Sequence, residues 1–188
     1  MGGWVQPFDY VAVLLSIVIS LALAHLLTGI AHMIQDGVRH FSIPLAQWIL
    51  FSLFLCIDYW FYVWHLHTET LWSLPYVGLL LAQASMIFVA ARLIVPAASD
   101  NSAIDMTAFF ERNRRKYMAV VIALAAVNEV INLSLPGFGS LQLALLVGAW
   151  IVLFSVGWVL PSTRVQLAVA AANVLLTVYY AATFVPSL

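Results

Sequence analysis

Residues 105–135 read DMTAFFERNRRKYMAVVIALAAVNEVINLSL, a basic segment that runs directly into an apolar one. The apolar part, residues 117–135, is close to the ~20 residues that a helix needs to cross the hydrocarbon core of a bilayer. The basic part carries four of the seven Lys and Arg residues of the chain, namely Arg112, Arg114, Arg115 and Lys116. Because Lys and Arg are retained on the cytoplasmic side of a membrane, this stretch predicts a transmembrane helix that begins at the cytoplasmic face.

Five further apolar runs of comparable length flank this one, and most of them end near a proline or a glycine. Hydrophobic residues make up 64% of the chain and charged residues 8%, whereas soluble proteins average about 45–50% apolar and about 25% charged residues. The sequence therefore predicts an all-α integral membrane protein, a single domain over residues 1–188 that forms a six-transmembrane-helix bundle. The predicted spans are residues 10–34, 44–67, 75–97, 117–135, 140–160 and 165–186.

The remaining basic residues agree on one orientation for this bundle. Arg39 and Arg164 lie in the first and fifth connections, on the same side as the basic segment, and Arg92 lies close to that side in the third span. The positive-inside rule then predicts a multi-pass protein of the inner, or cytoplasmic, membrane with both termini outside. The N-terminus lacks the basic region of a signal peptide, so the first span is expected to be retained. No nucleic-acid partner is expected.

Residues 105–116, the one substantial connection, have helical spacing of their apolar residues. Acidic residues come early in this segment and basic residues late, which the helix dipole favours. The pattern predicts a short amphipathic helix on the inner leaflet, where Arg112, Arg114, Arg115 and Lys116 contact anionic lipid headgroups and anchor the chain. A regulatory or partner-docking role for the segment is the alternative.

Two acidic residues, Asp58 and Glu129, lie within predicted spans. An acidic side chain at the centre of a transmembrane helix costs about 2.5 to 3.5 kcal/mol on the insertion scale, so such residues face the bundle interior and often mark a binding site or an ion pathway. The alternative is that hydrogen bonds satisfy both acids and lock helix packing.

Further polar residues accompany each acid at helical spacing. Intervals of 11 and 7 residues, close to whole numbers of turns, define a stripe on the second span. The depths of the two acids, counted from the cytoplasmic end, are similar, so the sequence predicts that the two polar sets meet and form a proton relay or cation site. The residues of this predicted pathway are Gln47, Asp58, Tyr62 and His65 on the second span and Asn128, Glu129 and Asn132 on the fourth.

Histidines offer a separate possibility, that of a metal or cofactor site. His25 and His32 share one face of the first span, and His65 and His67 lie at the outer end of the second. The His65–Glu69 pair has i, i+4 spacing suited to a metal but lacks a second cluster to complete the coordination shell. His25 or His65 is also a possible axial ligand for haem or a pigment.

Small residues at four-residue spacing predict which helices approach one another closely. Ala119 and Ala123 in the fourth span and Ala168 and Ala172 in the sixth have this spacing, so these helices are expected to be internal. The fifth span has almost no polar residue and is expected to face lipid or another subunit.

Two functions remain compatible with these patterns. The chain contains no HExxH, G-x-S-x-G, Walker A or dinucleotide-binding motif, so no enzyme activity is expected. The first hypothesis is a proton- or cation-handling channel or transporter, expected to be a homo-oligomer. The alternative is a non-catalytic accessory subunit of a larger membrane complex, with haem or a pigment bound through histidine.

Overall fold

A computed structural model describes residues 7–68, 72–96, 104–134 and 140–184 of the chain. Within these ranges it contains six long helices, each long and apolar enough to cross a membrane. The helices are α1 (Pro7–Gln35), α2 (Ile43–His65), α3 (Leu74–Ile94), α4 (Met106–Ser134), α5 (Leu141–Val159) and α6 (Thr163–Phe184). A 3₁₀ turn (Leu66–Thr68) follows α2, and two short strands, β1 (Val38–His40) and β2 (Ile104–Asp105), precede α2 and α4. The predicted all-α bundle of apolar helices is confirmed.

Serine side chains determine where three of these helices begin. The hydroxyls of Ser42, Ser73 and Ser140 each accept a hydrogen bond from the backbone N–H three residues later, at 3.4, 3.4 and 3.1 Å. Such N-caps satisfy one of the backbone donors that the first turn of a helix leaves unpaired. Proline in the first turn of α2 and α3 adds a fixed backbone angle that suits this position.

The fourth helix differs from the prediction, because α4 is continuous through residues 105–116 and the fourth span. A helix of 29 residues is about 43 Å long, against about 30 Å for the hydrocarbon core. The sequence between residues 105 and 135 contains no glycine or proline that would separate an interfacial helix from a spanning one. The helix is therefore longer than the core requires by about nine residues.

All seven Lys and Arg residues lie at or near one end of the bundle, which we call the basic end. Here β1 and β2 pair in parallel, with Val38 opposite Ile104 and His40 opposite Asp105. The His40 Nδ1 atom is 2.9 Å from Asp105 Oδ2. Asp105 Oδ1 also accepts a hydrogen bond from the Ala108 N–H at 2.9 Å and so caps α4. The Ala108 N–H, followed by His40, lowers the pKa of the Asp105 carboxyl below its usual value.

The expected close approach through alanines is wrong. Ala119, Ala123 and Ala168 are exposed and Ala172 is only half-buried. The fifth helix leaves Leu145 and Val152 exposed and packs along both α4 and α6. Gly157 permits this, because a Cβ at that position would be 3.3 Å from both Met118 Cε and Val169 Cγ1.

Candidate functional site

A cavity of about 440 Å³ lies between α2, α4, α5 and α6, with part of one wall from α3. We call it the central cavity. Most of its lining comes from the half of the bundle remote from the basic end. The lining residues are Phe51, Phe54, Leu55, Asp58, Tyr59, Phe61, Tyr62, His65, Gln83, Ile87, Val121, Leu124, Ala125, Asn128, Asn132, Leu143, Val147, Trp150, Phe154, Tyr180 and Phe184.

The polar stripes predicted on the second and fourth spans both contribute to this cavity. Asp58, Tyr62 and His65 line it from α2, and Asn128 and Asn132 line it from α4. Asn128 and Asn132 are four residues apart and Asp58 and His65 seven, so each set occupies one helix face. Five of the seven residues of the predicted pathway thus line one cavity.

Two residues of the predicted pathway lie outside the cavity lining. Gln47 is 11 residues before Asp58 on α2, which places it roughly 16 Å closer to the basic end. Glu129 follows Asn128 directly, and one residue corresponds to about 100° of rotation around a helix. Gln47 Oε1 and Glu129 Oε2 are both buried without a hydrogen-bond partner. The two acids therefore do not share the cavity, and Asp58 is the acidic residue of the described lining.

Asp58 is half-buried, and its immediate partner comes from α6. The Tyr180 hydroxyl forms a side-chain hydrogen bond with the Asp58 carboxylate. In the described part of the chain, the residues that line the cavity include no Lys or Arg. Within the same ranges no Lys or Arg forms an ion pair with Asp58. The carboxylate thus faces a cavity that contains no fixed positive charge among the described residues.

Amide side chains form a second polar group opposite Asp58. Gln83 Nε2 on α3 donates to Asn128 Oδ1 on α4 at 3.0 Å. Gln83 Oε1 and Asn132 Nδ2 are buried and have no hydrogen-bond partner. An unsatisfied buried polar group costs ~1–3 kcal/mol, so both amides carry an unfavourable contribution in this packing.

Aromatic rings make up much of the remaining surface. Nine Phe, Tyr and Trp side chains line the cavity. The Tyr180 ring packs against Trp150, Phe54 and Phe184, with centroid distances of 5.5, 6.3 and 5.9 Å. The indole N–H of Trp150 donates to Asn173 Oδ1 at 3.0 Å, which fixes the orientation of that ring. Faces of aromatic rings attract cations, so this wall and Asp58 favour the same sign of charge.

A cluster of four aromatic side chains closes the cavity toward the basic end. We call it the aromatic plug, and it consists of Trp48, Phe51, Tyr117 and Phe154. The Trp48 ring centroid is 5.8 Å from that of Phe51 and 5.7 Å from those of Tyr117 and Phe154. Trp48 and Tyr117 are fully buried.

The hydroxyl of Ser52 on α2 links two residues of the plug, Trp48 on α2 and Tyr117 on α4. It donates to Trp48 O at 2.9 Å and lies 3.0 Å from the Tyr117 hydroxyl. The cavity therefore does not continue as an open pore through the described part of the bundle.

The imidazole of His65 lies at the end of the cavity remote from the plug. Its Nδ1 atom is 2.7 Å from Phe61 O. Since a carbonyl oxygen only accepts, Nδ1 carries the hydrogen and Nε2 is the acceptor atom of the neutral ring.

The other predicted ligands are dispersed. His25 Nδ1 accepts from Arg92 Nη1 at 3.2 Å, His32 lies 4.0 Å from Asp36, and His67 Nδ1 bonds to Trp64 O at 2.7 Å. Glu69 lies outside the described residues. Within the ranges that the structure describes, no three His, Cys, Asp or Glu residues are grouped so as to hold a metal ion.

The four basic residues expected to contact lipid headgroups do not behave alike. Arg112, Arg115 and Lys116 are exposed, but Arg114 is only 5% exposed. Its guanidinium donates to the carbonyl of Gly157 and to Trp158 O, the latter at 3.1 Å. Arg114 thus satisfies carbonyls at the C-terminal end of α5 and is not available to headgroups, which corrects the prediction for this residue.

Three residues of the site were not predicted from the sequence: Tyr180, Trp150 and Gln83. Gln83 could have been predicted from the sequence. An amide in the middle of an apolar span, like an acid there, is unfavourable in contact with lipid and faces the bundle interior. Tyr and Trp are common in membrane helices, and their positions alone did not distinguish them from interface residues.

No family model, no curated protein and no solved structure matches this chain.

Proposed function

We propose that this multi-pass membrane protein is a transporter that handles protons or a cation, with Asp58 as the group that binds the transported charge. The observation that carries the proposal is the position of Asp58, which faces a cavity whose described lining includes no Lys or Arg. An ionised carboxylate in such a setting is costly unless a proton or a cation neutralises it. A site that must be neutralised, and that can exchange one neutralising ion for another, is suited to ion transport.

The aromatic plug favours a transporter over an open channel. Because Trp48 and Tyr117 are fully buried on the basic side of Asp58, an ion bound at Asp58 has no continuous path toward that end. Transport then requires the plug to open, in the manner of alternating access around a site within the membrane. The Ser52–Tyr117 hydrogen bond joins α2 to α4 at this point and is the contact that such a movement would break.

Membrane location and orientation are part of the same proposal. The positive-inside rule supports an inner membrane with the basic end in the cytoplasm and both termini outside. The cavity then faces the outer side, and the plug separates it from the cytoplasm. Apolar side chains exposed on the outer faces of the helices are suited to lipid and to a second copy of the chain, in line with the predicted homo-oligomer.

Reconstitution tests the proposal. Liposomes that contain the purified protein and a pH-sensitive dye would report proton flux under an imposed membrane potential. The wild type and Asp58→Glu, which keeps a carboxylate, are expected to exceed empty liposomes, whereas Asp58→Asn is expected to fall to their level. Proton flux equal to that of empty liposomes in the wild type would contradict the proton version of the proposal.

The accessory-subunit alternative is supported by His65 alone. Metal-ligating histidines usually donate their second ring nitrogen to a carbonyl or carboxylate, as His65 Nδ1 does. His25, His32 and His67 are not among the residues that line the central cavity. A haem or pigment absorption band that His65→Ala abolishes would favour this function over transport.

A further inference from the structure

We propose that the central cavity binds a monovalent, weakly hydrated organic cation, held by Asp58 and by the aromatic wall, which consists of Trp150 and Tyr180. This inference rests on the proposed function and specifies its cargo. It follows from three properties of the cavity: its volume, its charge and its aromatic surface.

The volume exceeds what a proton or a bare metal ion needs. Pockets for small organic ligands are typically about 300–1,000 Å³, and the central cavity, at about 440 Å³, falls within this range. A site for a bare metal ion would instead place several oxygen ligands within ~2–3 Å of one point. The described lining provides one carboxylate, so the cavity has the dimensions of an organic ligand site.

The charge limits the ligand to one positive charge. Asp58 is the acidic residue among the lining residues that the structure describes. One carboxylate neutralises a monovalent cation and leaves a divalent one with an uncompensated charge in a poorly solvated setting. An anion would meet the Asp58 charge with no Lys or Arg in the described lining to offset it.

The aromatic wall selects for weak hydration. Alkali cations lose a strong hydration shell on entering an apolar cavity, whereas a quaternary ammonium or phosphonium ion loses little. Such ions are recognised by cages of aromatic rings, whose faces are negative. Trp150, whose indole N–H is held by Asn173, and Tyr180, which packs edge-to-face against it and bonds to Asp58, both line the cavity. These are the two rings to which the inference assigns cation binding.

Tetraphenylphosphonium and tetraphenylborate, which share a shape and differ in the sign of their charge, test the inference. Equilibrium dialysis would compare their binding to the purified full-length protein in detergent, with detergent alone as the background. Saturable binding of the phosphonium is expected, with at least tenfold weaker binding of the borate. Equal binding of both ions would overturn the inference, because it would indicate an apolar cavity without charge selection.

Two variants assign the binding to the proposed residues. Asp58→Asn is expected to weaken phosphonium binding about tenfold or more, and Trp150→Leu about 3- to 10-fold. Glu129→Gln, which changes a half-buried acid outside the cavity, is the control and is expected to bind as the wild type does. Each variant is compared only as a monodisperse sample. If Asp58→Asn aggregates, Asp58→Glu is measured in its place. Because Asp58→Glu keeps the carboxylate, it is expected to retain the selection for the phosphonium over the borate. Unchanged binding in both Asp58→Asn and Trp150→Leu would overturn the assignment.

The outcomes separate this inference from the proposed function. Absence of phosphonium binding together with Asp58-dependent proton flux overturns the organic cation and leaves the transporter in place. Charge-selective binding without flux of either protons or a quaternary ammonium ion into liposomes supports the cation site and contradicts transport. Absence of both overturns both.

Discussion

The hydroxyl of Tyr180 on α6 hydrogen-bonds to the carboxylate of Asp58 on α2, so the acid at the centre of the cavity is held by the last helix of the bundle. This contact joins elements that are more than 100 residues apart in the sequence. It connects α6 to the side chain that the proposed function assigns to ion binding. On that proposal, the binding of an ion at Asp58 is expected to be coupled to the position of α6.

Removing the hydroxyl of Tyr180 tests this coupling. Tyr180→Phe keeps the ring but removes the donor, and a hydrogen bond to a charged group contributes about 1.5–3 kcal/mol. We expect proton flux in liposomes to fall about tenfold. Tyr179→Phe is the matched control, since the hydroxyl of exposed Tyr179 bonds to Gln142 at 2.6 Å and not to Asp58. Equal flux in Tyr180→Phe and Tyr179→Phe would show that the bond to Asp58 is not part of transport.

The aromatic plug is expected to limit leakage. Trp48→Ala removes the ring that contacts Phe51, Tyr117 and Phe154, so we expect higher proton leakage than in the wild type, together with about 3–5 kcal/mol lower stability. Trp60→Ala removes an exposed Trp from the same helix as a control. If monodisperse Trp48→Ala protein leaks no more than Trp60→Ala, the plug is not the barrier.

The role of Arg114 is structural and should appear in unfolding experiments. Arg114→Ala leaves the carbonyls at the end of α5 with fewer donors, although Gln166 Nε2 still donates to Gly157 O and Leu160 O at 3.0 and 2.6 Å. We expect about 1.5–3 kcal/mol lower stability by thermal unfolding in detergent. The neighbouring exposed residue provides the comparison, and Arg115→Ala should change stability by less than about 0.5 kcal/mol. Similar losses of stability in Arg114→Ala and Arg115→Ala would show that the hydrogen bonds of Arg114 do not stabilise the fold.

The pairing at the basic end predicts a pH dependence. The pKa of Asp105 is lowered by the Ala108 N–H and by His40, so its contribution to stability is complete above the unfolded value of about 3.9. The contribution is lost as pH falls through the lower folded pKa. We expect the wild type to have a higher Tm than Asp105→Ala at pH 6, with the difference shrinking below about pH 4. A difference that persists unchanged at pH 3 would exclude this titration as its source.

Much of the fold was predictable because length and composition determine it. A run of ~20 apolar residues has few alternatives to a spanning helix, and each predicted span corresponds to one helix. The continuity of α4 was not predicted, because the basic residues 112–116 were taken to mark a boundary between an interfacial helix and the fourth span. No glycine or proline between residues 105 and 135 breaks the helix there.

The candidate site was predictable only in part. Helical spacing correctly grouped Asp58 with His65 and Asn128 with Asn132. It did not separate Glu129 from Asn128, because the direction in which each helix face points depends on its neighbours, which one sequence does not reveal. The burial of Arg114 could have been predicted from its spacing. It precedes Asn128 by fourteen residues, close to four turns, and so lies on the same face of α4 as Asn128.

The comparison of Asp58→Asn with Glu129→Gln in dye-loaded liposomes tests the central claim most directly. Both substitutions replace a half-buried acid by its amide, but only Asp58 lines the central cavity. Under an imposed potential we predict that flux in Asp58→Asn equals that of empty liposomes, while Glu129→Gln retains the wild-type rate. Loss of flux in Glu129→Gln with retention in Asp58→Asn, or wild-type flux in both, would contradict the assignment of transport to this cavity.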